Sequence, residues 1–217
     1  MKDNKAYNVV KYYVLCNKLK DLIRSGWKKW NVNRDRLESV AEHIYGVQSL
    51  AIAMYSEYNY DIDIHKVILM LAVHELEETV IGDLTVWDTT SEDKLSKGHM
   101  AIEKILSNLV HGDEIKNLIF EFDERKTNEA IFAYHCDKLE CDLQCKLYDE
   151  EGLVDINSQK DNDILLDERV KNIISNGNTS WSNMWLEYDR NKYIDDDNFM
   201  EVLDYIKDNK INQDIEK

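Results

Sequence analysis

Apolar residues return at intervals of three and four along most of this chain, the spacing that gives a helix one buried face. Val9, Val10, Tyr13, Cys16, Leu19, Leu22 and Ile23 predict a first helix over residues 7–24, stopped by Gly26. After a loop over 26–37, Ser39-Val-Ala-Glu42 reads as a capping box, in which serine and glutamate satisfy each other's free backbone donors. A second helix therefore starts near Val40 and carries His43 in its first turns. Asp61 or Asp63 caps a third helix that the pattern extends to about Val80, with Gly82 suited to its end. Ser91 opens another capping signal, followed by the stripe Ala101, Ile102, Ile105, Leu106 and Leu109, and a shorter helix is predicted over 113–122. Ile131, Tyr134, Leu139 and Leu143 mark a buried central helix over about 128–148 that also holds Asp137. Residues 150–163 are polar and predict a loop. Weaker helical patterns cover 164–174, 181–189 and 198–207, and residues 211–217 are expected to fray. The strand-like residues 84–87 are too short and isolated to imply a sheet.

Composition sharpens this picture. The 217 residues include no proline and only seven glycines, which fits long helices and an all-α class. The length suits one sizeable core, and the expectation is a single domain over 1–217, with its core over about 7–150 and a C-terminal helical extension over about 151–210. Lysine and arginine number 27 against 43 acids, a net charge of −16 that repels nucleic acid polymers and anionic membranes. The longest aliphatic run, 67–73, is too short to span a bilayer, and no signal-like N-terminal segment is evident, so a cytoplasmic protein is expected. Four cysteines without a CxxC pair are expected to be reduced core thiols, although Cys141 and Cys145 share a helix face and admit a metal reading.

The chemistry concentrates at residues 67–83, VILMLAVHELEETVIGD, where an apolar run ends in His74, Glu75, Glu77 and Glu78 before a Gly-Asp turn. Ionisable groups on an apolar segment are costly unless paired, and a metal ion pairs with an imidazole and carboxylates together. The other reading is a helix leaving the core, with His74 a satisfied interior histidine and the glutamates on its wet end. His43 and Asp137, on two further helices, extend the set to two imidazoles and two carboxylates. That donor set suits one divalent ion, such as Mn²⁺, Fe²⁺, Co²⁺ or Zn²⁺, with Mg²⁺ a further candidate, and leaves positions for water and substrate. Glu78, four residues past His74, falls on the same helical face. Arg24, Lys28, Lys29, Arg34 and Arg36 face a single acid, Asp35, over residues 24–36, which reads either as a phosphate-binding patch or as a solvated loop.

Four motifs in order carry a resemblance: Arg24-Ser-Gly-Trp27; Glu38-Ser-Val-Ala-Glu-His43; His74-Glu-Leu-Glu-Glu78 with Gly82-Asp83; and Asp137-Lys-Leu-Glu140. Over about residues 10–150 the chain resembles the HD-domain metal-dependent phosphohydrolases, and within them the small HD-domain 5′-deoxynucleotidase group. The resemblance implies an HD-domain-like helical bundle with additional C-terminal helices. It implies a metal-dependent phosphomonoesterase that converts (deoxy)nucleoside 5′-monophosphates to nucleoside and phosphate. One divalent metal would be held by His43, His74, Glu75 and Asp137. Glu78 would orient or deprotonate the attacking water, Arg24 would contact phosphate, Trp27 would wall the nucleoside pocket, and Asp83 would position the sugar or protonate the leaving oxygen.

The chain departs from the family at one ligand, where His74-Glu75 stands for the family's His-Asp. Glutamate keeps the carboxylate but adds a methylene, moving its oxygens by about 1.5 Å. An HExxH zinc protease is excluded because position 78 is glutamate where that motif needs its second histidine. His65, His99, His111 and His135 lie outside the four motifs. Two rival functions remain: an HD phosphohydrolase acting on a nucleoside triphosphate, a cyclic nucleotide or another phosphate ester, and a nucleotide-binding regulatory protein whose Glu75 abolished turnover. The partner expected in each case is a small phosphate-bearing molecule, and a homodimer is compatible with all of them.

Overall fold

A computed structural model describes residues 4–159, 161–178 and 180–212. In chain order its helices are α1 (Lys5–Cys16), α2 (Ser25–Lys29), α3 (Val40–Glu57), α4 (Ile64–Val73), α5 (Glu78–Ile81), α6 (Ser91–Leu106), α7 (Gly112–Glu124), α8 (Asn128–Glu150), α9 (Glu168–Ser175), α10 (Trp181–Asp189) and α11 (Asp197–Asp208). Among the described residues the only β pairing is an isolated antiparallel bridge between Ile23 and Ser39, so the architecture is all-α. The chain divides into two compact units, Met1–Ser25 with Glu38–Cys136, and Gly26–Leu37 with Asp137–Lys217.

In the first unit, Ser39 and Glu42 form the expected capping box, so α3 starts at Val40 and places His43 one turn in. Asp63, not Asp61, caps α4, accepting the amides of His65 and Lys66. Thr90, not Ser91, caps α6. Val73, Leu76, Ile102, Leu106 and Ile119 form a core cluster, against which Tyr12 and Cys16 lay one face of α1. The rest of α1 leaves Val9, Val10, Tyr13 and Val14 exposed, although the periodicity sets Val9, Val10 and Tyr13 on its buried face.

Two boundaries differ from the periodicity. The first helix ends at Cys16, and a 3₁₀ turn over Asn17–Lys20 comes next, because residues 22–24 are drawn into the bridge: Val40 N–H donates to Leu22 (2.8 Å) and Arg24 N–H to Glu38 (3.0 Å). The third helix ends at Val73, seven residues early. Beyond it Leu76 bonds Val73 and Glu78 bonds Glu75, three residues back, so the backbone tightens into turns before α5 resumes. The Thr79 hydroxyl also claims the Leu76 carbonyl at 2.8 Å.

In the second unit, the tryptophans make the centre. Trp27 meets Tyr148 and Trp181 edge-on at 5.3 and 6.1 Å, and Trp30 lies 5.9 Å from both Trp181 and Trp185. Ser182, at the start of α10, donates through its amide and hydroxyl to Asp149 on α8. The expected loop over 26–37 thus contains most of α2, a helix too short to show a period. Asp167 caps α9 and splits the 164–174 pattern into a 3₁₀ turn and a helix. Ile211 and Asn212, expected to fray, donate their amides to Glu150 at 3.0 and 2.7 Å, while 213–217 lie outside the described residues.

Candidate metal centre

His43, His74 and Glu75 converge although they come from different segments: one early turn of α3, and the break at the end of α4. The imidazoles lie 5.6 Å apart between centroids, and Glu75 Oε1 lies 3.7 Å from Nε2 of each. These separations exceed hydrogen-bond length. His74 Nδ1 lies 2.8 Å from the Leu71 carbonyl oxygen, which can only accept, so Nδ1 is the donor there and Nε2 is the nitrogen turned to the Glu75 side. Asp137 comes directly after Cys136 within the unbroken α8. With one atom from each of His43, His74, Glu75 and Asp137, all four candidate ligand atoms lie within 4.8 Å of one another, and all four residues are buried. Two imidazoles and two carboxylates taken out of water fit a divalent first-row cation.

The surroundings are dominated by carboxylates. Burial raises Glu78 well above the ordinary carboxylate range, with Glu75 and Asp83 adding to it. Burial also raises Glu77, and with Glu75 beside it the group reaches about 8. Arg24 and Lys94 answer this charge, and on α8 Lys138 pairs Asp137 at 2.7 Å. Arg24 reaches Glu75 Oε1 at 3.4 Å and Asp83 Oδ1 at 3.6 Å. Lys94 donates to Glu78 Oε1 at 3.1 Å. Burial pulls Lys94 down, but Glu75, Glu78 and Glu77 outweigh it and hold the ammonium above its usual value. Glu78 and Lys94 therefore move in the same direction although they are partners: the ammonium collects three carboxylates, whereas Glu78 is crowded by others of its own sign.

The break after Val73 changes how Glu78 is presented. It does not continue the His74 helix face; it opens α5, and Gly82, at φ +78°, turns the chain so that Asp83 comes at once. Asp83 has a structural load as well, since its carboxylate and carbonyl accept the amide and hydroxyl of Ser25 at 2.5 and 2.6 Å.

Other residues marked by the sequence make contacts of their own. Trp27 is buried in the aromatic centre of the second unit. In that unit Lys28, Arg34 and Arg36 are exposed, and Arg34 pairs with Glu151 at 3.4 Å and lies over Tyr148. His99 stacks on Phe120 and bonds Asp123 at 2.8 Å, and His111 pairs with Glu114 on the surface. Lys94 carried no sequence signal: a lone lysine sixteen residues past Glu78 shows nothing of the contact that the fold makes.

A family profile described as HD domain matches residues 16–176. The chain is similar to 5′-deoxynucleotidase HDDC2 of Dictyostelium discoideum, with 34% identity over 66% of this chain and 79% of that protein. It is 26% identical to 5′-deoxynucleotidase hdd1 of Schizosaccharomyces pombe, over 72% of this chain and 78% of the relative. Among solved structures, a conserved hypothetical protein of Pyrococcus furiosus shares the fold, with a TM-score of 0.64 at 20% identity, covering 92% of this chain and 99% of that one.

Proposed function

This chain belongs to the HD-domain family, and from that premise we propose that it hydrolyses (deoxy)nucleoside 5′-monophosphates to nucleoside and phosphate. The observation that carries the reading is the buried convergence of His43, His74, Glu75 and Asp137 as ligands for one divalent metal, with Arg24 against Glu75. The 5′-deoxynucleotidase relatives support the substrate class.

A divalent ion held there supplies Lewis acidity, polarising the phosphoryl group and acidifying water. The chain's own groups do the rest. Glu78 orients the attacking water and takes its proton. Arg24 holds the phosphate oxygens and stabilises charge that develops on them, which requires it to exchange part of its contact with Glu75 and Asp83 for substrate. Asp83 positions the sugar or supplies a proton to the leaving oxygen. Trp27 serves the nucleoside side through the turn just past Arg24. We place the protein in a reducing, cytoplasmic compartment, where its four cysteines would be thiols.

The test is metal analysis of the purified protein coupled to a phosphate-release screen over nucleoside mono- and triphosphates and cyclic nucleotides, with Mn²⁺, Co²⁺, Mg²⁺ and Zn²⁺ in turn. Monophosphates are expected to turn over fastest. His74→Ala is expected to lose metal and activity together. Preferred release from triphosphates or cyclic nucleotides moves the chain to the rival enzyme reading, and metal and nucleotide binding without product makes it a regulatory protein.

A further inference from the structure

Lys94 reaches Glu78 from a separate helix. Its Nζ lies 3.1 Å from Glu78 Oε1 and 3.2 Å from the carbonyl oxygen of Leu84. Leu84 adjoins Asp83 in the chain. One ammonium therefore ties together α5, the segment beyond Gly82 and the first turn of α6. An ammonium is a strong point charge with three rotatable donors, suited to holding groups that come from different directions.

The Glu78 side chain is fully buried, and its other oxygen, Oε2, has no hydrogen-bond partner among the described residues. A buried acceptor left without a partner is costly, and natural folds keep such atoms where function uses them. Lys94 occupies one oxygen and fixes the carboxylate plane, so the second oxygen has one direction in which to present its lone pairs. Surface pairs between lysine and glutamate contribute little to stability. This pair differs from them, because the glutamate is out of water and the lysine is held at a second point by a backbone carbonyl.

We propose that Lys94 is a positioning residue: anchored on the Leu84 carbonyl, it locks Glu78 through Oε1 so that Oε2 faces the attacking water. This role rests on the phosphohydrolase reading. It predicts a loss in the chemical step without a loss of metal or of substrate affinity, since Lys94 ligates nothing and is assigned no substrate contact.

The experiment compares wild type, Lys94→Met, Lys94→Arg and Lys94→Ala for kcat, KM, metal per chain and Tm. Lys94→Met is expected to lower kcat about 10- to 100-fold, the usual cost of removing a partner that orients an active group, with KM and metal content within about twofold of wild type. Lys94→Arg keeps the charge and should recover part of kcat. Methylammonium or ethylammonium should restore part of the Lys94→Ala rate saturably, because the missing group is a small cation. An active wild type matched by Lys94→Met overturns this role alone. Loss of metal in step with kcat, or an Ala variant indifferent to added amine, assigns Lys94 to structure and likewise overturns it. A wild type that releases no phosphate overturns the phosphohydrolase reading and this role with it.

Discussion

Glu75 is where the residue chemistry is least conventional, and its geometry explains how a longer side chain can serve. It sits in a tightened turn outside any helix, and its Oε1 lies 3.7 Å from both imidazoles and 3.4 Å from Arg24. The turn that interrupts the helix frees this backbone from helical geometry, which is the kind of adjustment an added methylene calls for. Glu75→Asp restores the family signature but withdraws the carboxylate by about 1.5 Å. Metal sites tolerate only about 0.2 Å in ligand distance, so affinity should fall by about tenfold or more and turnover with it, measured by calorimetric metal titration and phosphate release. A rise in activity would mean that Glu75 is a decayed ligand. Arg24→Ala should raise KM for nucleotide by about 10- to 100-fold, the scale of a lost charge-assisted contact, with metal still bound, since Arg24 is not among its ligands. Arg24→Lys, lacking the planar fork, should recover only part; unchanged kinetics in both variants would leave Arg24 as a structural ion pair. At this scale, the sequence shows which side chains are chemically unusual for their surroundings, as His74 and Glu75 are at the end of an apolar run. It does not show Lys94, whose importance comes only from neighbours brought in by other elements.

Elements were legible where local chemistry sets them. The Ser39 capping box and the Asp63 cap are written within four residues of sequence, and both helices start where those signals stand. Ser39→Ala should cost about 1 kcal/mol, read as a lower denaturant midpoint. What periodicity missed was the break after Val73, because apolar spacing continues through it: Leu76 joins the same core cluster as Val73, although the backbone between them has left the helix. The short α2 escaped for the opposite reason, having too few residues to repeat anything. Close approach between elements is equally silent in the sequence. At Gly112, the first residue of α7, a Cβ would stand 2.2 Å from the Leu106 carbonyl oxygen at the end of α6. That atom is backbone and cannot swing away. Gly112→Ala should therefore destabilise by about 1–3 kcal/mol, the range for overpacking. Chemical denaturation of the variant beside wild type checks it, and an unchanged midpoint would show that the two helices separate freely.

Across the whole molecule the acid excess is a liability managed site by site, and the second unit shows how. Asp142 on α8 is buried, accepts the Tyr193 hydroxyl at 2.7 Å, and faces Asp189, which Lys192 pairs at 2.7 Å; Lys138 also acts on it. Burial raises Asp142 well above the ordinary carboxylate range, Asp189 raises it further, and the Tyr193 bond and the two lysines oppose this without cancelling it. A folded-state pKa above the unfolded one means that the folded chain holds the extra proton between the two values. The associated stability is fully present below the unfolded pKa and is lost as pH rises through the interval. Asparagine has the shape of the protonated acid, still accepts the tyrosine hydroxyl through its amide oxygen, and cannot ionise. Asp142→Asn should therefore raise the Tm at pH 8 by about 3 °C or more, the equivalent of roughly 1 kcal/mol in a chain of this size, and the gain should shrink toward pH 5. Intrinsic fluorescence is the natural readout, because four of the five tryptophans, Trp27, Trp30, Trp181 and Trp185, belong to this unit. None of this was legible in the sequence, where Asp142, Asp189 and Tyr193 stand far apart outside any motif and only the folded second unit makes them a buried set. An offset between the variant and wild type that stays constant from pH 5 to pH 8 would show that Asp142 is ionised in the folded state throughout, its burial compensated by Lys138 and Lys192.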